Sequence, residues 1–264
     1  MAWRNPRYAF LHAAREAGAA AISSQNIFAT AQPKDLLIDD RLSDLAKFNA
    51  AATDHFVQVD RGAGTLEAID RLVIPTGHNF NGANLRVRHA DDAPFTSGVA
   101  DLLATVAVAS AGQLDYALTS STKRYVRMDW PSSSSTAWEW GEWFLSRTRT
   151  TLRGPEPNWP HTPRHAVRTY DLPSGVTAIL EEGPDRDAIE YLYNVVKDAA
   201  DLAVFEDLIA AAGMSHPFIL DPAYDTEATA FFLLTAPIER EYDNPNPTVA
   251  ISRSYRLRLL EALG

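Results

Sequence analysis

The stretch Phe56-Val57-Gln58-Val59-Asp60-Arg61-Gly62 decides how the first half of the chain is read. Apolar and polar residues alternate through Asp60, the period of a strand with one face in a core, and Arg61-Gly62 stops it. The pattern recurs on either side in short pieces. Ile69 to Ile74 is apolar around Asp70-Arg71 and ends at Pro75; Leu85-Arg86-Val87-Arg88 alternates, as does Tyr125-Val126-Arg127-Met128 before Pro131. Trp138-Glu139-Trp140-Gly141-Glu142-Trp143-Phe144-Leu145 places three Trp at i, i+2 and i+5. One strand face holds all three only with a bulge, and Gly141 is its natural place. Short strands parted by Gly, Asn, Pro and Ser turns indicate an antiparallel sandwich over residues 22–149.

The flanks read differently. Residues 1–21 form an arm with helical potential, Pro6 suiting a first turn and Phe10, Leu11, Ala14 and Arg15 allowing a short helix. The arm either clasps a neighbouring subunit or packs locally on its own domain, the second being the simpler reading. Residues 150–164 hold Gly154, Pro155, Pro157, Pro160 and Pro163 and read as a linker. In residues 165–264, strands are expected at His165 to Tyr170, Val176 to Leu180, Phe218 to Leu220, Phe231 to Leu234 and Val249 to Leu260. Between them Leu202, Phe205, Leu208, Ile209 and Ala212 make a helical stripe that Gly213 stops. The fold class is therefore mainly β, a sandwich followed by a smaller α+β domain.

Composition narrows the function. The 264 residues include no cysteine, which excludes disulfides, zinc–thiolate and Cys-ligated iron–sulfur sites and a thiol nucleophile. A net charge of −10 argues against nucleic acid as the main partner. No apolar run reaches the roughly 18 residues of a membrane span, since Asp101, Thr105 and Ser110 interrupt Val99 to Ala111. The N-terminus lacks a secretory pattern: small residues, Ala17 to Ala21, follow Arg15-Glu16.

Several stretches together resemble the galactose-binding-like, or discoidin-type, jelly-roll family: Leu37-Ile38-Asp39-Asp40-Arg41-Leu42-Ser43-Asp44, Phe56 to Gly62, Ile69 to Ile74 followed by Gly77-His78-Asn79, Lys123 to Met128, and Trp138 to Leu145. Where that family has Leu in its V-x-V-D-L-G strand, this chain has Arg61. With Ile69-Asp70-Arg71-Leu72-Val73-Ile74-Pro75 leading into Gly77-His78-Asn79, the chain is also similar to minor tail, or distal-tail, proteins of tailed bacteriophages and gene-transfer particles. In the second unit Glu190-Tyr191, Pro217 to Pro222 and the final strand extend that likeness. The resemblance implies a non-enzymatic component of a phage-like tail tip, assembled in the bacterial cytoplasm and located in the virion. Its partners would be other tail proteins in a homo-oligomeric ring, and Trp3, Phe10, Trp159 and Phe205 are the candidate assembly contacts. The alternatives are a carbohydrate-binding module for host-surface adhesion and a glycan hydrolase.

The candidate sites have bland readings beside them. Gly77-His78-Asn79-Phe80-Asn81-Gly82 is a polar turn in which His78 and Asn79 either contact a ligand or bond local backbone, the second being favoured. Trp138 and Trp140, with Trp130 and Trp143, either form a stacking platform for a host glycan or fill a core, and the core is favoured. Asp35, Asp39, Asp40 and Asp44 are the densest carboxylates. Related modules sometimes hold a structural calcium near such a loop, but the spacing is not that of an EF-hand and capping aspartates are the simpler account. No other cofactor is expected. The G-x-S-x-G, H-E-x-x-H, G-x-x-x-x-G-K-S/T and G-x-G-x-x-G patterns are absent, and His161 and His165 lie in a Pro-rich stretch without a helical face to hold a metal.

Overall fold

A computed structural model describes residues 5–10, 12–24, 28–41, 44–49, 55–64, 66–131, 137–152, 161–164, 167–171, 177–181, 186–196, 198–212, 216–221, 230–234, 238–242 and 253–261. In chain order its elements are β1 (Arg7–Ala9), α1 (Ala13–Ala17), β2 (Ile22–Ser24), β3 (Ala46–Lys47), β4 (His55–Asp60), β5 (Ile69–Ile74), β6 (Asn84–Ala90), β7 (Ala100–Ala107), β8 (Leu114–Ser121), β9 (Tyr125–Trp130), β10 (Glu139–Trp140), β11 (Phe144–Ser146) and β12 (Arg149–Thr150). There follow β13 (His161–Arg164), β14 (Val167–Asp171), β15 (Thr177–Glu181), β16 (Arg186–Val196), α2 (Ala199–Ala212), β17 (Phe218–Asp221), β18 (Ala230–Leu234), β19 (Glu239–Tyr242) and β20 (Arg253–Glu261).

The chain divides into two units, residues 11–148 and residues 1–10 with 149–263. The first is an antiparallel sandwich. A five-stranded sheet in the order β2-β4-β9-β6-β7 faces a three-stranded sheet β11-β5-β8, and β10 pairs with β3 beside them. Alternation sets the inner face, as expected: Val57 and Val59, Leu85 and Val87, Val126 and Met128 point inward and pack with Leu72, Ile74, Leu114, Leu118 and Leu145 in one cluster. Burying each such side chain contributes about 1.5–3 kcal/mol. Strand β4 stops as its sequence predicts, with Gly62 at φ 84° and its N–H donated to Asp60 Oδ1 at 2.9 Å.

The three tryptophans do not lie on one bulged strand. Residues 141–143 separate β10, paired with β3, from β11, paired with β5. The chain changes sheets there, which delivers Trp138, Trp140 and Trp143 all into the core.

The second unit corrects the expected boundaries. Its main sheet runs β12-β1-β17-β18-β20-β16-β13, with β19 also on β20. The expected arm, residues 1–21, divides at Phe10. Its first part supplies β1, pairing Tyr8 with Arg149 on one side and with Leu220 on the other; its later part, α1, belongs to the sandwich unit. The sandwich is thus an insertion between two adjacent strands, β1 and β12. The expected linker, residues 150–164, ends in strand β13, whose Pro163 lies on an edge strand, where proline is tolerated.

Helix α2 covers the expected stripe. Asp198 Oδ1 accepts the Ala200 N–H at 2.8 Å at its start. Phe205 packs 4.7 Å from Tyr193 and 4.5 Å from Tyr255, ring centre to ring centre. Tyr8 and Tyr193 share a buried hydroxyl hydrogen bond of 2.5 Å, and burial raises both phenols above the ordinary tyrosine range. Among the described residues no helix is long and apolar enough to cross a membrane.

Candidate ligand-binding surface

The residues singled out from sequence fall mainly into structural roles. His78 is buried: its Nδ1 accepts the Phe80 N–H at 3.2 Å, which leaves Nε2 to donate to the Gly112 carbonyl at 2.8 Å. Burial lowers its pKa below the ordinary imidazole value. Asn79 donates to the Ala137 carbonyl at 2.9 Å and accepts the Glu139 N–H at 2.8 Å, so it acts as a pairing residue for the start of β10. Trp138 and Trp140 are 5% and 0% exposed and sit among Phe48, Phe80 and Trp130. A ring without an exposed face offers a sugar nothing to stack on, and these two rings belong to an internal aromatic cluster.

The four aspartates have separate local partners. Asp40, at φ 63°, pairs with Arg15 at 2.8 Å; Asp44 approaches Arg41 at 3.5 Å; Asp39 accepts the Arg41 N–H at 3.0 Å; Asp35 is exposed on a single 3₁₀ turn, Lys34–Leu37. Among the described residues no group of three or more His, Cys, Asp or Glu side chains could hold a metal ion.

Of the assembly contacts, Phe10 and Phe205 are buried in the core of the α+β unit, while Trp3 and Trp159 lie outside the described residues. Glu206 and Asp207, carboxylates available to a hydrolase, are engaged by the Tyr255 hydroxyl at 3.1 Å and by Arg149 at 3.3 Å.

The polar parity of the same sandwich strands builds a surface. Register places Phe56 opposite Asp129 and Asp129 opposite Arg86; Gln58 lies opposite Arg127, and Arg127 opposite Arg88. These side chains stand on the outer face of β4, β9 and β6, because their neighbours Val57, Met128 and Val87 point into the core. Arg88 grips Asp129 through two hydrogen bonds of 2.8 Å, and Arg124 grips Asp60 through bonds of 2.6 and 2.7 Å. The Arg124 contact holds the Asp60 carboxyl below the usual range, the opposite of what a general acid at a glycosidic bond requires.

At the centre the Arg127 guanidinium lies between two rings, 3.9 Å from the centre of Phe56 and 3.8 Å from that of Phe95. Its Nε and Nη2 donate to Gln58 Oε1 at 3.1 and 2.7 Å. Phe95 comes from the β6–β7 loop at φ 59°, a conformation costly for a bulky residue. The loop ties itself in place: Asp92 accepts the N–H groups of Thr96 and Ser97 at 2.9 and 3.0 Å and the Thr96 hydroxyl, and Gln58 Nε2 reaches the Ala93 carbonyl at 3.3 Å. The result is a half-buried apolar stack flanked by charged groups held by hydrogen bonds. The alternation of β4, β6 and β9 was the signal for most of it; nothing local announced Phe95.

No protein-family model and no curated protein matches the chain. Among solved structures it is similar to chitosan-binding module 1 of a chitosanase/glucanase from Paenibacillus sp. IK-5, at 13% identity, with 51% of this chain and 97% of that one covered and a TM-score of 0.40. It is similar also to the CBM32-1 and CBM32-2 domains of Clostridium perfringens ZmpB in complex with GalNAc, at 14% identity, with 53% and 35% covered and a TM-score of 0.42. A third is CpGH89CBM32-6 of Clostridium perfringens, at 13% identity, with 51% and 98% covered and a TM-score of 0.39.

Proposed function

We propose that the protein is a non-catalytic saccharide-recognition adaptor, in which the outer face of the five-stranded sheet binds a glycan and the α+β unit anchors the chain in a larger assembly. The observation that carries the reading is the Phe56–Arg127–Phe95 stack, bordered by Gln58, Arg88 and Asp129. Sugars present an apolar C–H face and a rim of hydroxyls. Half-buried rings receive the first, and a guanidinium already locked by hydrogen bonds, that of Arg88, receives the second without further loss of side-chain freedom. The test is a glycan array with the full chain, followed by calorimetric titration of any saccharide retained. Binding in the micromolar to millimolar range, lost on Phe95→Ala, supports the reading; no retention of any glycan overturns it.

The phage-like tail is the second reading, and one observation favours it. The sandwich is inserted between adjacent strands β1 and β12 of another sheet, an arrangement suited to a recognition module added to an assembly protein. Its test is whether the protein co-sediments with tailed particles from its host and is encoded beside other tail genes; a monomer found only in particle-free fractions contradicts it.

A further inference from the structure

We propose that the saccharide taken by this face carries a carboxylate, and that Arg127 is the residue that binds it. The inference rests on the saccharide reading above and adds the ligand's charge. Arg86 and Arg88 both approach Asp129, at 3.7 and 2.8 Å, and Arg124 is paired with Asp60. Arg127 makes no ion pair among the described residues. Its hydrogen bonds go to the neutral oxygen of Gln58, through Nε and Nη2, so the edge formed by Nη1 and Nη2 has no partner among those residues. That edge is the fork to which a carboxylate binds in bidentate fashion.

The surroundings partly bury the cation. Phe56 and Phe95 cover both faces of the guanidinium. Burial is the largest influence on it and disfavours its charge, the Asp129 charge works the other way, and that of Arg88 adds to the burial. A guanidinium nonetheless stays protonated, so a half-buried positive charge is left with two ring faces, one amide dipole and a more distant carboxylate. Phe95 is held over it in a strained left-handed conformation by the Asp92-centred loop. Strain of this kind persists where the surrounding structure enforces it, and it clusters at ligand sites. An anionic sugar satisfies the two features together: its carboxylate completes Arg127, and its ring lies along Phe95 with Arg88 at its hydroxyls. The ligand class is thus a hexuronic acid or another sugar acid within an oligosaccharide.

The experiment titrates the full chain with three probes at equal concentration: a hexuronate oligosaccharide, the same oligosaccharide with its carboxyl groups reduced to alcohols, and acetate. The expected result is that the acidic oligosaccharide binds, the reduced one binds about ten- to a hundredfold more weakly, and added salt weakens the first more than the second. Arg127→Gln removes the preference for the acid. Arg127→Lys keeps a cation between the rings and guards against a folding defect; it retains the preference at severalfold lower affinity. If the reduced oligosaccharide binds equally well, or Arg127→Gln binds the acid as tightly as wild type, the carboxylate proposal fails while saccharide recognition stands. If neither oligosaccharide binds, the carboxylate proposal fails, and saccharide recognition falls with it only if the array also retains no neutral glycan. If acetate matches the oligosaccharide, the site takes any carboxylate, an acidic side chain of a protein partner included, and the sugar assignment is overturned.

Discussion

Replacing Trp140 by Ala separates the internal aromatic cluster from the sugar platform that its sequence suggests. The ring is fully buried, with Phe48, Trp130, Phe80 and Phe28 at centroid distances of 5.2, 5.2, 5.6 and 6.1 Å. Removing it leaves a cavity those neighbours cannot close, and the cost is about 3–5 kcal/mol. For a sandwich of this size that lowers the melting temperature by roughly 10–20 °C. Trp140→Phe costs less, about 1–2 kcal/mol, because most of the volume stays. It also removes an indole N–H that has no hydrogen-bond acceptor among the described residues, a donor whose burial unmet itself costs about 1–3 kcal/mol. Differential scanning calorimetry of the full chain reads both variants, with the sandwich transition shifted and that of the α+β unit in place. A Trp140→Ala protein that melts within about 2 °C of wild type and yet loses saccharide binding would show that the ring serves the ligand rather than the core.

Deleting residues 1–9 removes β1 and its Arg7 contact of 2.6 Å with the buried Asp221, so the α+β unit melts lower or fails to fold in a monomer; a clasping arm would instead leave the monomer's melting unchanged and abolish only association. Burial raises the pKa of Glu16 above the carboxylate norm, despite opposing contributions from Arg15, His12 and Arg61. The folded state therefore binds protons more readily than the unfolded one, and its stability falls as pH rises through that window. Glu16→Gln should raise the melting temperature at pH 7, a gain that shrinks below about pH 4, and an equal gain at all pH values would contradict this. His78 has the reverse sign. Its lowered pKa makes the neutral ring the folded form, so its contribution is present at neutral pH and is lost as pH falls below about 6.5, through the lowered value. Urea melts of wild type and His78→Gln should converge on acidification, and curves that stay parallel would argue that the ring's charge state plays no part.

The alternation of Phe56 to Asp60, Leu85 to Arg88 and Tyr125 to Met128 made the sandwich legible, because a period of two with one apolar parity has one solution at a core. The other parity of those strands holds the candidate site, and it reads from sequence as ordinary surface: only pairing register brings Gln58, Arg127 and Arg88 into one row. Phe95 depends on a loop conformation that a bulky residue rarely adopts, so no propensity points to it. The tryptophans were visible as large rings, but whether a ring faces water or core depends on where Gly141 to Trp143 changes sheets. Strand β1 was illegible for a different reason. Arg7-Tyr8-Ala9 is too short to show a period, and its partners lie at Arg149–Thr150 and Ile219–Asp221, far along the chain. Proline content suggested a linker through residue 164, yet proline is also tolerated on a sheet edge, and there Pro163 is found.

The proposed saccharide site is the outer face of the β4–β9–β6 sheet. The most direct test is a crystal structure of the full chain with the best-binding oligosaccharide from the array. The expected result is the sugar against Phe56 and Phe95, with its carboxylate on Arg127 and hydroxyls on Arg88. A sugar seated instead on the loops around Asp39 and His78, or on the α+β unit, would contradict it.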